Sequence, residues 1–148
     1  MIHHPTDRTV WQLWNKGVAD PAAGSSWSYT IPNRMQFELN CCQFQIDTDV
    51  NAANRKVRLS VVSGIYEVCS IEVEPVIAAN VTRRLTFARG LGTHKPTVNS
   101  TYIHNPWPTG LILNGGMVLT CSVDGIQAGD QLSSIQFLGR AWLDFVNA

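Results

Sequence analysis

Charge is scarce in this sequence. Lys, Arg, Asp and Glu together make up 15% of its 148 residues, against roughly 25% in ordinary soluble domains, so an unusual share of any folded surface must be neutral. Such a surface suits burial against partners. The charges present also cancel, 11 basic against 11 acidic, and this argues against a dedicated nucleic-acid binder, because counterion release needs a clustered positive face. No run approaches the roughly 18 consecutive apolar residues of a helical membrane span, and MIHHPTDRTVWQLW lacks the basic start and apolar core of a signal peptide. The expectation is a protein made and kept in a cytoplasm, where Cys41, Cys42, Cys69 and Cys121, none in CxxC spacing, remain thiols. Asn80-Val-Thr and Asn99-Ser-Thr then match the glycosylation pattern by chance.

The motifs of chemistry are missing too. There is no GxSxG, no P-loop, no HExxH and no Gly-rich turn leading into a helix, so no catalytic residue is assigned and the expectation is a protein that is not an enzyme. His3 and His4 lie near the start. His94 and His104 fall in a loop-like stretch with no carboxylate between them, which reads as solvated histidine rather than a metal site, and no cofactor is expected. Asp47 and Asp49 in DTDVNAANR suggest calcium, but regular oxygen ligands do not follow and Arg55-Lys56 does. A polar turn with local backbone hydrogen bonds is the simpler reading, for this stretch and for Gln127-Ala128-Gly129-Asp130. Between Glu74 and Asp124 no acidic residue occurs, while Arg83, Arg84, Arg89 and Lys95 do. That fits a mildly basic edge strand and loop, or a patch for an acidic partner.

What the chain has in quantity is alternation. Residues 1–24 read as an arm, ending in the breakers of ADPAAGSS, and residues 25–148 as one domain. Trp27, Tyr29 and Ile31 alternate with Ser28 and Thr30; Met35, Phe37, Leu39 and Cys41 share one face of the next strand. After Cys41 the apolar positions become Cys42, Phe44 and Ile46. The phase has slipped by one residue, which would turn the rest of the strand outward unless a bulge absorbs the extra residue, so the cysteine pair is read as geometry rather than redox chemistry. RKVRLSVVS and YEVCSIEVE form a hairpin about Ser63-Gly64, VTRRLTFAR follows, and Gly90 to Gly110 reads as one long loop. GLIL leads into NGG, a strong turn signal, and MVLTCSVDG resumes strict alternation through Met117, Leu119, Cys121 and Val123. In the last run, LSSIQFLGRAWLDF, Ile135, Phe137, Ala141, Leu143 and Phe145 share one face, yet Leu138, Trp142 and Val146 on the other are apolar as well. Another chain is expected to cover that stripe.

With no 3.6-residue period of useful length, the sequence predicts an all-β protein of about eight strands: a two-sheet antiparallel sandwich, a jelly roll before an immunoglobulin-like fold, with an extended N-terminal arm. Trp11, Leu13 and Trp14 stand out in that arm. Burying two tryptophans gains about 8 to 12 kcal/mol gross. Ordering ten residues costs on the order of 10 to 20 kcal/mol, so the arm is expected to stay mobile until a neighbouring subunit supplies backbone hydrogen bonds. Candidate protein contacts are therefore Trp11, Leu13, Trp14, Leu138 and Trp142. A candidate binding surface in the loop consists of Arg89, His94, His104 and Trp107, the last, between two prolines, being either a sugar platform or a plug in the end of the sandwich.

The series SWSYTIP, FEL, ANRKVRL, TFARGLG, LILNGGMVL and IQAGDQLSSIQF resembles small β-sandwich proteins encoded among the structural genes of tailed bacteriophages, over roughly residues 25–142. Its motifs are short turn-and-strand phrases such as Ala53-Asn54-Arg55 and Gln127-Ala128-Gly129-Asp130; RAWLDF departs from the more acidic end of that family. The resemblance implies a virion component without catalytic residues: a capsid decoration or cement protein, or else a receptor- or glycan-binding module of a tail or head fibre. The partners it implies are the major capsid protein or other virion subunits and further copies of this chain, a trimer before a dimer, with no membrane and no specific nucleic acid.

Overall fold

The computed structural model describes residues 11–92 and 101–143. Among these the chain is all-β, with strands β1 (Gln12–Val18), β2 (Ser28–Thr30), β3 (Met35–Asp47), β4 (Lys56–Ser63), β5 (Tyr66–Glu72), β6 (Thr82–Ala88), β7 (Tyr102–Pro106), β8 (Ile112–Asn114), β9 (Val118–Asp124) and β10 (Gln131–Leu143). They form two packed sheets. One runs β1-β10-β3-β6-β7 with β8 also on β3, the other β2-β9-β4-β5. Setting β7 and β8 aside, β1 pairs with β10, β2 with β9, β3 with β6 and β4 with β5, the nested pairing of a chain doubled on itself and rolled up as a jelly roll.

The alternation seen in the sequence is the inside and outside of this sandwich. Phe37, Leu39, Phe44, Ile46, Leu59, Val61, Leu85, Phe87, Leu119, Leu132 and Phe137 are buried between the sheets. Phe44 stacks on Phe87 with ring centroids 5.9 Å apart, and Trp27 meets Phe44 edge-on at 5.5 Å. The phase slip in β3 is a bulge. Leu138 faces Cys41 and Gly139 faces Leu39, so Asn40 is the extra residue, its carbonyl accepting from the Arg89 N–H at 3.1 Å. Cys42 returns to the core, while Cys41, expected beside Leu39 on the inner face, is only half-buried.

Three expectations change. Residues 12–18, assigned to an arm, are the first strand of the roll: Gln12 to Val18 pair with Ala141 to Ile135. The missing backbone hydrogen bonds come from the chain's own last strand, and the Trp14 ring packs on Phe37, Phe137 and Tyr29, closing one side of the sandwich. Within the expected 90–110 loop, residues 102–106 form β7, and it runs parallel to β6, so the sheets are not wholly antiparallel. NGG forms the expected turn, the Met117 N–H donating to the Asn114 carbonyl at 3.0 Å. It carries the chain from β8 in one sheet to β9 in the other, because the Gly116 N–H is taken by Ile31 (2.9 Å) and Gly115 lies against Pro32 too closely for a side chain. The expected hairpin of β4 and β5 does form, with Gly64 and Ile65 between the paired Ser63 and Tyr66. Of the last run, Phe145 and Val146 lie outside the described residues.

Gly139 sits where β10 crosses the β3 bulge, and a Cβ there would lie 2.6 Å from the Phe37 ring and closer still to the Glu38 carbonyl. Gly139→Ala is expected to cost about 1–3 kcal/mol through forced separation of the strands. Urea unfolding checks this: the midpoint falls with the m-value unchanged, and a wild-type midpoint would show slack between β3 and β10.

Candidate functional site

Outward positions on β1 and β10 form a continuous apolar corner. In the β1–β10 register Leu13 lies opposite Arg140 and Asn15 opposite Leu138, so Leu13 and Leu138 are diagonal neighbours on one face. Trp11 precedes Gln12 beside the end of β10, and the Arg140 guanidinium lies 4.9 Å from the centre of its ring. Leu13 is 64% exposed, Trp11 46% and Leu138 36%; Trp142, on the same outer face of β10, is half-buried. Four of the five residues singled out as protein contacts thus come together on this corner. Trp14 does not. It alternates with Leu13, so its ring points into the sandwich and its role is packing.

A second apolar surface lies at the other lateral edge. Trp14 over Tyr29 sets β1 above β2 at one side, and β5 is the far strand of the four-stranded sheet. There the β4–β5 hairpin presents Ile65 (88% exposed), Tyr66 (69%) and Val68. Sequence reasoning passed over these residues, although Ile65 in a two-residue turn was a signal: a turn asks for Gly, Asn or Asp, not isoleucine.

The candidate loop surface does not assemble as expected. Trp107 is buried, its backbone N–H donating to Ala88 at 3.1 Å, and it plugs the sandwich rather than offering a platform. Its indole Nε1 finds no partner among the described residues. Arg89 is joined to Glu38 in an ion pair, next to Arg140 across the strand. His104 lies on the outer face of β7, and His94 falls outside the described residues.

The strongest electrostatic feature is internal. Arg55 has no exposed side-chain surface, and its Nε and Nη2 donate to the two carboxylate oxygens of Asp130, both at 2.9 Å. Its Nη2 also reaches Asp49 at 2.8 Å, and its Nη1 donates to the Asn51 and Ala53 carbonyls. Asp130 accepts in addition from the Asp49 and Gln127 backbone N–H groups, and Asp49 from Asn51 and Gly129. The acidic turn that suggested calcium is thus occupied by a guanidinium, and the two turns expected to be separate local structures are clamped together. Alternation held the signal. Arg55 is in phase with Val57, Leu59 and Val61, and Asp130 with Leu132, so both point inward. Burial works to raise the Asp130 pKa, but the Arg55 hydrogen bonds and charge and the two N–H groups outweigh it and hold the carboxyl below its ordinary value.

The cysteines show no sign of activation. Burial, with the neighbouring Cys121 and Cys41, raises Cys42 well above the ordinary thiol range, and burial pushes Cys121 up to about 12. Among the described residues no three His, Cys, Asp or Glu side chains are grouped as a metal site would require. No family model matches the chain, and neither curated proteins nor solved structures provide a match that would identify a relative.

Asp130→Asn, which leaves the buried Arg55 charge with Asp49 as its one remaining carboxylate partner, is expected to cost about 3 kcal/mol, and joint replacement of Arg55 and Asp130 by Met and Leu less than that. Because the folded Asp130 pKa is depressed, its contribution is complete above the unfolded value of about 3.9 and disappears as pH falls through the folded value. Urea midpoints along an acid series check both points; parallel curves for the wild type and Asp130→Asn would refute the assignment. Thiol labelling at neutral pH should leave Cys42 and Cys121 unmodified until the protein unfolds.

Proposed function

We propose that this chain is a non-enzymatic structural protein of a tailed-bacteriophage virion, a decoration or cement protein that stabilises the head by bridging subunits of its shell. The observation that carries the reading is the placing of two apolar surfaces on opposite lateral edges of one rigid sandwich. The corner of Trp11, Leu13, Leu138 and Trp142 lies at one edge and the Ile65–Tyr66–Val68 hairpin at the other. A binder of one partner needs a single such surface. A bridge needs two, facing different neighbours, on a body stiff enough to carry load between them. The chain's low charge and the resemblance of its turn phrases to phage structural proteins support the same reading. The partners are the major capsid protein and further copies of this chain, assembled in the host cytoplasm. A receptor- or glycan-binding role through the 90–110 segment as the sequence framed it has less support, since Trp107, the residue singled out there as a sugar platform, is buried.

Purified protein added to empty shells is expected to bind in numbers comparable to the shell's own subunits, and to raise the temperature at which they open. Leu13→Asp and Ile65→Asp are each expected to weaken binding at least about tenfold. Both positions are exposed, so the isolated protein's stability should change by no more than about 0.5 kcal/mol. Sedimentation of shells with labelled protein measures the binding; full binding by both variants, or none by the wild type, would overturn the proposal.

A further inference from the structure

Away from the apolar corner, the outer face of the six-stranded sheet changes character. The strand registers place Gln136, Gln43, Thr86 and His104 in one row across four strands, and Gln45, Arg84 and Tyr102 in the next. Between β10 and β3 this face is indented. Ser133 faces Gln45 and Gln136 faces Gln43, so Ser134 and Ile135 stand against Phe44 alone, a second bulge. Ser134 takes the left-handed conformation there, with φ at 51°, and its N–H donates to Asp20 at 3.0 Å. The resulting depression is about 190 Å³ and is lined by Gln43, Phe44, Arg84, Ser134 and Gln136.

The fold accounts for the bulge, which returns Ile135 and Phe137 to the core. It does not account for the lining, since any exposed polar residue would serve at those outward positions. Nor is the collection one that suits an ion. No carboxylate lines the depression, so a cation has no counter-charge there. Its one cation, Arg84, already donates to the Gln45 side chain at 3.2 Å, so a phosphate would have to compete for it. What the site offers is neutral and two-sided. Each carboxamide donates and accepts in one plane, as a pair of adjacent sugar hydroxyls does, and Ser134 joins them in the lining. The volume is below the roughly 300 Å³ at which drug-sized pockets begin and suits a single sugar ring. At the end of the second row Tyr102, about half exposed, lies where the next ring of a chain could rest its apolar face.

We propose that this depression binds one pyranose unit of a neutral oligosaccharide, held by the Gln43 and Gln136 carboxamides with Arg84 and Ser134, the chain continuing across the sheet toward Tyr102. The site adjoins the apolar corner, Gln136 being the next outward residue to Leu138 on β10, but does not rest on the virion reading. A decoration protein attached through its edges could still present this face to a glycan.

The test is binding of the full-length protein to an array of neutral and acidic oligosaccharides, repeated for Gln43→Ala, Gln136→Ala, Tyr102→Ala and, as a control in the β4–β5 turn of the other sheet, Ile65→Asp. The expected result is binding to neutral members that persists in raised salt. It should weaken about five- to tenfold with each glutamine substitution and less with Tyr102→Ala, and Ile65→Asp should leave it unchanged. Circular dichroism of each variant establishes that it is folded, and Gln136→Ala, at an exposed position, decides the matter if Gln43→Ala is not. Three outcomes would overturn the proposal: no neutral glycan bound, binding confined to acidic glycans and lost in salt, or neutral binding indifferent to the glutamines. Shell binding by the same variants is a separate readout, so failure of one proposal leaves the other standing.

Discussion

A strand of thirteen residues must keep its inner side chains against one core along the whole of a twisted sheet. β3 and β10, the two such strands here, are paired over most of their length, and each meets that constraint with an inserted residue. Asn40 in β3 returns Cys42, Phe44 and Ile46 to the interior; the irregularity at Ser134 does the same for Ile135 and Phe137. The outer face is shaped by the same events. One bulge brings Gly139 against Phe37 and fixes where Leu138 and Arg140 emerge, and the other opens the sheet beside Gln43 and Gln136. The apolar corner and the polar depression are thus both consequences of keeping two long strands in phase with one core.

Much of this was legible because it is local. The period of two placed the inner faces of β3, β4, β9 and β10, and the slip after Cys41 announced the bulge to within a residue. The pairings that are not local were hidden. Nothing in QLWNKGV says that its partner is the last strand of the domain, so the energy comparison for those residues left out the ladder that holds them. The short β7, YIHNP, has one apolar inward residue, Ile103, beside a buried Asn105, too little alternation to separate from its surroundings. Sheet switching at NGG depends on contacts with Pro32 and Ile31, which no turn signal carries. Of the candidate contacts, the outward ones followed from the apolar second face of β10, and Trp14 was misplaced because treating its segment as an arm ignored its own alternation.

The buried ion pair joins two turns that are far apart in the chain. Ala53-Asn54-Arg55 and Gln127-Ala128-Gly129-Asp130 are distant in sequence and meet in the fold as donor and acceptor of one clasp. Ala53 supplies a carbonyl to the guanidinium, Gly129 gives Asp49 room and an N–H, and Asp130 closes the bidentate pair. What those phrases do here is fasten the turns of this sandwich. They serve its architecture, and the apolar corner and the exposed hairpin lie on positions outside them.

The pairing of first strand with last has a mechanical side. Gln12 lies opposite Ala141, so tension applied to the chain on either side of the domain would act at one end of the β1–β10 ladder and open it rung by rung, like a zip. Force entering through side chains in the middle of a sheet would meet many rungs at once, in shear. A molecule so built resists strain when gripped by its flanks and yields when tugged by its tails.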